Sequence, residues 1–386
     1  MICLRNGRVH DGKGGVGKAD ILIEDGRIVK IGTGLEAEGA EILDAEGKEI
    51  FPGWIDPLCD WGILGPGREI RGNANDNDER SDVFTPQMDV LYAFNGRGIS
   101  RQQIYAFGIT AVGVAPSNNN LFGGQMAAFE VLGVNPMKMV LRHRAGMKAS
   151  VTDALKEAYG ARNVAPMTKM GIFSMMREKL QAARDYDPQD PKTERDEKLA
   201  ALQPVVRGEM PLFVSCNTPS EIRSVLRACQ DLPVKLVFCG GFGVDASLTE
   251  LAERKCGLIV ANPANGFNKY TRNTDYAGIA QLAKQGVTVA FSAADNGFGG
   301  REDLLWSALE MMKRIHDEET VLQMLTLNAA RLLGMDSITG SLEEGKRADL
   351  VIWSANPLTS YKAAVEKTLI NGEVVYTKGD AMKCFL

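Results

Sequence analysis

The chain has 386 residues, 45% of them hydrophobic and 24% charged, which supports one large core plus a smaller unit and excludes a disordered or fibrous polypeptide. Its formal net charge is −5, with lysines and arginines interspersed among acids, so it has no basic stripe to neutralise phosphates and nucleic acid is not an expected partner. Seven cysteines, an odd number without CxxC pairs, fit free thiols in a reducing compartment better than a disulfide framework.

The N-terminal MICLRNGRVHDG lacks the charged start and apolar run of a signal peptide. No later stretch is long enough to span a membrane, so a cytoplasmic location is the default expectation. Residues 2–52 read as short strands broken by glycine turns, and in ILIEDGRIVKIG the Asp25-Gly26 pair marks a hairpin. Within this region GKGGVGKA, Gly12 to Ala19, nearly spells a phosphate-binding loop. Ala19 stands where that loop needs a hydroxyl, and a hairpin rather than a helix follows, so a glycine-rich turn is the better reading.

From residue 53 onward the texture changes. The apolar runs ITAVGVAP, PLFVSCN, VKLVFCGG, GLIVANP and VTVAFSAAD alternate with amphipathic segments such as PSEIRSVLRACQ, ASLTELAERK and TDYAGIAQLAKQ. That alternation predicts βαβ units around a parallel sheet. A (β/α)8 TIM-like barrel over residues 53–339 fits the length, with a doubly wound open sheet as the other architecture of this pattern. DYDPQDPKTERDEK, Asp185 to Lys198, reads as a solvated loop or helix end. The last forty residues return to strands, ADLVIWSA and TLINGEVVYTKGD, with Asn371-Gly372 as a turn. Residues 1–52 and 340–386 are therefore expected to pair into one small β-sandwich.

GSLEEGKRADLVIWSANPL, Gly340 to Leu358, resembles the closing segment of the amidohydrolase superfamily, where the chain leaves the barrel and completes the sandwich. ILIEDGRIVKIG followed by FPGWID is similar to that family's passage from sandwich to barrel, and TLNAARLLGM, Thr326 to Met335, to the helix before the exit. TPQMDVLYAFN, GITAVGVAPSNNNLFGGQ and APMTKMGIFSMMREKLQAARDY point to the imidazolonepropionase-like or cyclic-amidohydrolase branch. The resemblance spans essentially the whole chain and implies the α/β barrel with a sandwich built from both chain ends.

It also implies a metal site at the barrel mouth, usually of zinc, that polarises the substrate and generates hydroxide. The family's first strand carries PG-x-ID-x-H-x-H, so that two imidazoles on the same side reach one ion. Here those two positions are Leu58 and Asp60, with Cys59 between them pointing away. On the fifth strand Ser215 replaces a histidine, with Asn217 two residues on, and on the sixth Cys239 stands before Gly240. On the eighth Asp295 matches the family's catalytic aspartate, unless the alignment shifts by one residue onto Ala294. Lys148 lies near the fourth strand, where some relatives carry a carboxylated lysine between two metals. Asn118, Asn119 and Asn120 with LFGGQ are expected to form a polar loop shaping the pocket.

The three histidines, His10, His143 and His316, fall at no ligand position and read as exposed or locally bonded. The expected state is therefore a degenerate metal site: a pseudoenzyme or small-molecule-binding protein with no metal cofactor, zinc or another divalent ion being the disfavoured alternative. The competing expectation is an active hydrolase of cyclic amides using Asp295 as general base, assisted by Asp60 or Cys239. Each residue also has a structural role available. Cys239 also reads as apolar filler, Asp60 and Asp295 as the polar end of a barrel, and Asn217 as the cap of the helix beginning at PSEIRSVL. Methionine and aromatic stripes in GIFSMMREKLQAA and LLWSALEMMKRI fit core packing first and packing between copies of the chain second.

Overall fold

The computed structural model describes residues 1–63, 76–242, 244, 248–261, 274–293 and 302–379. The chain begins in a sheet of short strands, β1 (Ile2–His10), β2 (Val16–Glu24), β3 (Arg27–Gly32), β4 (Glu41–Asp44) and β5 (Glu49–Pro52). Asp25 and Gly26, with φ of 48° and 77°, turn β2 into β3, the two positive φ values of a type I′ hairpin. The first half of GKGGVGKA forms the β1–β2 turn, where the Asp11 carboxylate accepts from the Lys13 and Gly15 amides at 2.7 and 2.9 Å, and its second half, from Val16, opens β2 rather than a helix.

The same sheet is completed 300 residues later by β14 (Leu350–Trp353), β15 (Val365–Ile370) and β16 (Glu373–Thr377). Asn371 and Gly372 make the second hairpin, with φ of 52° and 77°. β14 lies antiparallel to β5, with Leu350 opposite Pro52 and Trp353 opposite Glu49. The two chain ends thus join through a central strand pair, over a core that includes Leu4, Ile21, Ile50, Leu350 and Leu369. The eight strands form one hydrogen-bonded sheet in the order β16-β15-β14-β5-β1-β2-β3, with β4 paired to β1.

Between the two halves of this sheet runs the barrel: β6 (Trp54–Cys59), β7 (Ile109–Val114), β8 (Phe122–Glu130), β9 (Val140–Ser150), β10 (Leu212–Ser215), β11 (Leu236–Gly240), β12 (Gly257–Ala261) and β13 (Val289–Ser292). The expected α/β barrel with a second sheet is what forms. One strand departs from the all-parallel pattern: β8 runs antiparallel to both β7 and β9. LFGGQ, expected as a loop, is therefore the start of β8. Small residues let that strand pack closely, since a Cβ at Gly124 would sit 2.7 Å from the Met88 carbonyl oxygen.

Alternation along each strand divides the core in two. Ile55, Leu58, Phe213, Val237, Cys239, Ile259 and Ala290 fill the barrel interior. Cys59, Val214, Phe238, Val260 and Phe291 face the outer layer of helices, so Cys59 does point away from the interior. The helix Leu327–Leu332 plugs the N-terminal end, where the Asn328 amide donates to the Val289 carbonyl at 3.0 Å. The stripes on the helices Lys169–Asp185 and Asp303–Ile315 face this core through Ile172, Met176 and Leu180 and through Leu304, Ala308 and Met311. DYDPQDPKTERDEK joins the helix ending at Asp185 to the one beginning at Glu197, as a solvated connection. No helix among the described residues is long and apolar enough to cross a membrane.

The described residues of β13 and β6 form no ladder, and side chains span the seam. The Asp56 carboxylate, wholly buried, accepts from the Leu58 amide at 3.1 Å and from the Ala293 amide at 3.0 Å. Beside it the Ser292 hydroxyl donates to the Leu58 carbonyl at 2.6 Å. Burial pushes the Asp56 carboxyl up to about 7, against the lowering effect of these hydrogen bonds.

A carboxyl raised in the fold binds its proton more tightly there than in the unfolded chain, so its contribution to stability falls as pH rises through the interval between the two values. Asp56→Asn, which loses an acceptor, is expected to be less stable than the parent at pH of about 4, and the gap is expected to shrink by up to about 4 kcal/mol as pH rises to about 7. Urea unfolding of both proteins across that range checks this; parallel stability curves would contradict it.

Candidate functional site at the barrel mouth

The C-terminal ends of the barrel strands, where such folds carry their chemistry, converge on a buried lysine. In β9, Met147 and Ala149 face the outer core, which turns Lys148 inward. Pairing of β9 with β10 sets Lys148 opposite Phe213 and Ser150 opposite Ser215. The Lys148 ammonium donates to Ser215 Oγ at 2.9 Å, to Asn118 Oδ1 at 2.6 Å and to the Ala149 carbonyl at 3.0 Å. Lys148 is only 2% exposed, and burial brings its ammonium down to about 8. Among the described residues no carboxylate lies within ion-pair distance of it.

The other expected site residues fall around this group or outside it. Register places Cys239 beside Ser215 on the next strand. Its thiol donates weakly to the Val237 carbonyl at 3.8 Å, and burial pushes it up to about 12, so it stays protonated at neutral pH. Leu58 packs in the barrel interior. The Asp60 carboxylate, just past β6, accepts from Asn77 Nδ2 at 3.2 Å. Asp295 and Ala294 lie outside the described residues.

Of the three asparagines, Asn118 reaches Lys148. Asn119 turns to the Asp78 carboxylate at 2.8 Å, and Asn120 accepts from the Tyr159 hydroxyl at 2.6 Å. Asn118 is thus the site residue the sequence reading did not separate from its neighbours. Three consecutive identical side chains carry no signal of which one faces inward.

Asn217 does not cap the helix Pro219–Ala228. Thr218 is the cap, with its side chain accepting from the Glu221 amide and the Glu221 carboxylate accepting from the Thr218 amide, a reciprocal capping box. The same buried carboxylate accepts from the Asn217 amide at 2.6 Å and pairs with Lys169. The loop that follows Ser215 is held by one acid.

Two of the three histidines are held by carboxylates. His10 stacks on Phe51 with ring centroids 4.0 Å apart and meets Glu49 at 2.6 Å, His143 meets Asp89 at 2.6 Å, and His316 ends the helix Asp303–Ile315 in a left-handed conformation. A cleft of about 570 Å³ opens beside the Asn118 loop, lined among others by Asp76, Asn77, Ser117 and Asn120. None of Asp60, Lys148, Ser215 or Cys239 lines it.

These donors do not suit a zinc-type centre, which takes imidazole, thiolate or carboxylate ligands. At the family's ligand positions stand an aliphatic side chain, a carboxylate already hydrogen-bonded, a hydroxyl engaged by an ammonium, and a protonated thiol. The ammonium itself repels a second cation. Among the described residues no three His, Cys, Asp or Glu side chains come together as a metal site.

Residues 219–375 match the amidohydrolase family. The amidohydrolase tasK of Hapsidospora irregularis is 25% identical over 92% of this chain, which spans 40% of that relative's length. The imidazolonepropionase of Treponema denticola is 35% identical over 29% of this chain and 27% of its own. Among solved structures, an amidohydrolase from Thermotoga maritima MSB8 superposes with a TM-score of 0.90 at 27% identity, covering 98% of this chain and 100% of that one.

Removing the acid behind the mouth loop by Glu221→Ala is expected to strand the Asn217 and Thr218 amides and to leave the Lys169 ammonium with Asp153 and the Val151 carbonyl. The cost is about 2–4 kcal/mol. Thr218→Ala, which removes one cap bond, should cost about 1 kcal/mol. Chemical denaturation of the two variants checks the order, and equal losses would contradict it.

Proposed function

We propose that this chain, whose residues 219–375 match the amidohydrolase family, is a degenerate member of that superfamily that binds a small molecule at the barrel mouth without the family's metallo-hydrolytic centre. The observation that carries this reading is the Lys148–Ser215 contact of 2.9 Å. At the position where the resemblance implies an imidazole ligand, the side chain is a hydroxyl bonded to a buried amine. The N–H groups of that amine suit a ligand that presents a carbonyl or carboxylate oxygen.

The loss of the ligand set supports this further. Leu58 has no donor atom, and Cys239 is held as a thiol where a metal needs a thiolate. Asp60 is left as the single anionic group among the described residues at the positions compared.

The test is elemental analysis of chelator-free protein, before and after incubation with zinc, alongside thermal unfolding with and without chelator. The expected result is far less than one ion per chain in both samples and an unchanged transition. One tightly held ion per chain, surviving dialysis and lost with a fall in Tm on chelation, is the outcome that defeats the proposal.

A further inference from the structure

We propose that Ser215 and Lys148 form a serine–lysine dyad, a metal-independent nucleophile and base that transfers the acyl group of a small amide or ester to water. This deepens the metal-free reading of the same site and rests on it.

The hydrogen-bond directions carry the inference. Lys148 Nζ has three partners, and two of them, Asn118 Oδ1 at 2.6 Å and the Ala149 carbonyl at 3.0 Å, can only accept. A neutral amine satisfies both with its two N–H bonds and presents its lone pair to the third partner, Ser215 Oγ at 2.9 Å. The serine hydroxyl can then donate to that lone pair, which is the arrangement of a nucleophile with its base. Serine–lysine pairs do this on unrelated folds.

The surroundings favour the neutral amine. Lys169, a lysine used structurally, pairs with Glu221 and with Asp153. The titratable groups that act on Lys148 are instead the thiols of Cys239 and Cys216, both pushed up by burial and so uncharged at neutral pH. Burial acts on Lys148 as the dominant effect and brings it to about 8, near the value a general base needs at physiological pH. Cys239 is the weaker nucleophile candidate because its thiol points to the Val237 carbonyl.

In the reaction Ser215 Oγ bonds to the substrate carbonyl carbon while its proton passes to Lys148 Nζ. The bond from that carbon to nitrogen or oxygen breaks, and the leaving atom takes the proton from Nζ. Water then attacks the acyl-serine, giving its proton to Nζ. The ester bond breaks and Ser215 Oγ recovers the proton. One water is consumed, and an acid and an amine or alcohol are released.

The test uses an alkyl fluorophosphonate on the purified chain, with intact-mass and peptide-mass readouts. The expected result is one adduct per chain on Ser215, with fluoride displaced, and none in Ser215→Ala. Lys148→Arg keeps the charge but not the base, and it is expected to label on the order of 10²-fold more slowly with its thermal transition retained. The wild-type labelling rate should rise with pH through about 8.

Absence of an adduct on Ser215, or an unchanged rate in Lys148→Arg, overturns the dyad. If that variant does not fold, the wild-type profile decides, and a rate flat between about pH 6 and about pH 9 overturns it. Each labelling is repeated with chelator. Loss of labelling on chelation defeats the metal-free reading, whereas absence of labelling in both conditions defeats the dyad alone.

Discussion

A barrel is only as good as its seam. Seven of the eight junctions around this one are ladders of backbone hydrogen bonds, and the remaining junction, between β6 and β13, is spanned by Asp56 and Ser292. The arrangement binds a buried carboxyl to two amides from opposite sides of the gap. It fixes the end of β13 against β6, and with it the positions of Leu58 and Asp60 relative to the rest of the mouth. Burying an acid is unfavourable in itself, yet the alternative is to leave those amides unmet in the core, which is also costly.

Inside that ring, among the described residues, the mouth holds the buried amine of Lys148. A divalent metal needs several anionic or imidazole ligands around it, whereas a lysine brings its own charge on a covalent tether and needs only neutral acceptors. Asn118, Ser215 and the Ala149 carbonyl supply them. Beside them stand Leu58, which has no donor atom, and Cys239, whose thiol is pushed up by burial, and fold alone does not decide the reaction.

Much of the architecture was legible because it is encoded locally. Asp25-Gly26 and Asn371-Gly372 are turn signals with a backbone reason, both pairs adopting positive φ, and the short apolar runs from ITAVGVAP to VTVAFSAAD each became a barrel strand. What stayed hidden is set by pairing. β8 contains Gly123 and Gly124 and small alanines, which read as loop until the neighbours β7 and β9 are in place on either side. Lys148 and Ser215 are 67 residues apart in sequence, and only the register of β9 on β10 makes them partners. Asp56 was passed over in favour of Leu58 and Asp60, the positions where ligands were expected, because a buried acid at a seam has no signature in its own strand.

The pairing of β5 with β14 also bears on how the molecule is made. Pro52 and Leu350 are neighbours in the sheet although nearly the whole chain lies between them. As the chain leaves the ribosome, β1, β2 and β3 can associate at once, while β5 waits with an open edge until β14 is synthesised. Contacts of such long separation form slowly, and uncovered strand edges invite wrong pairing. The barrel strands are therefore made while the accessory sheet is half built, so completion of that sheet is a late event that joins two distant segments of the chain.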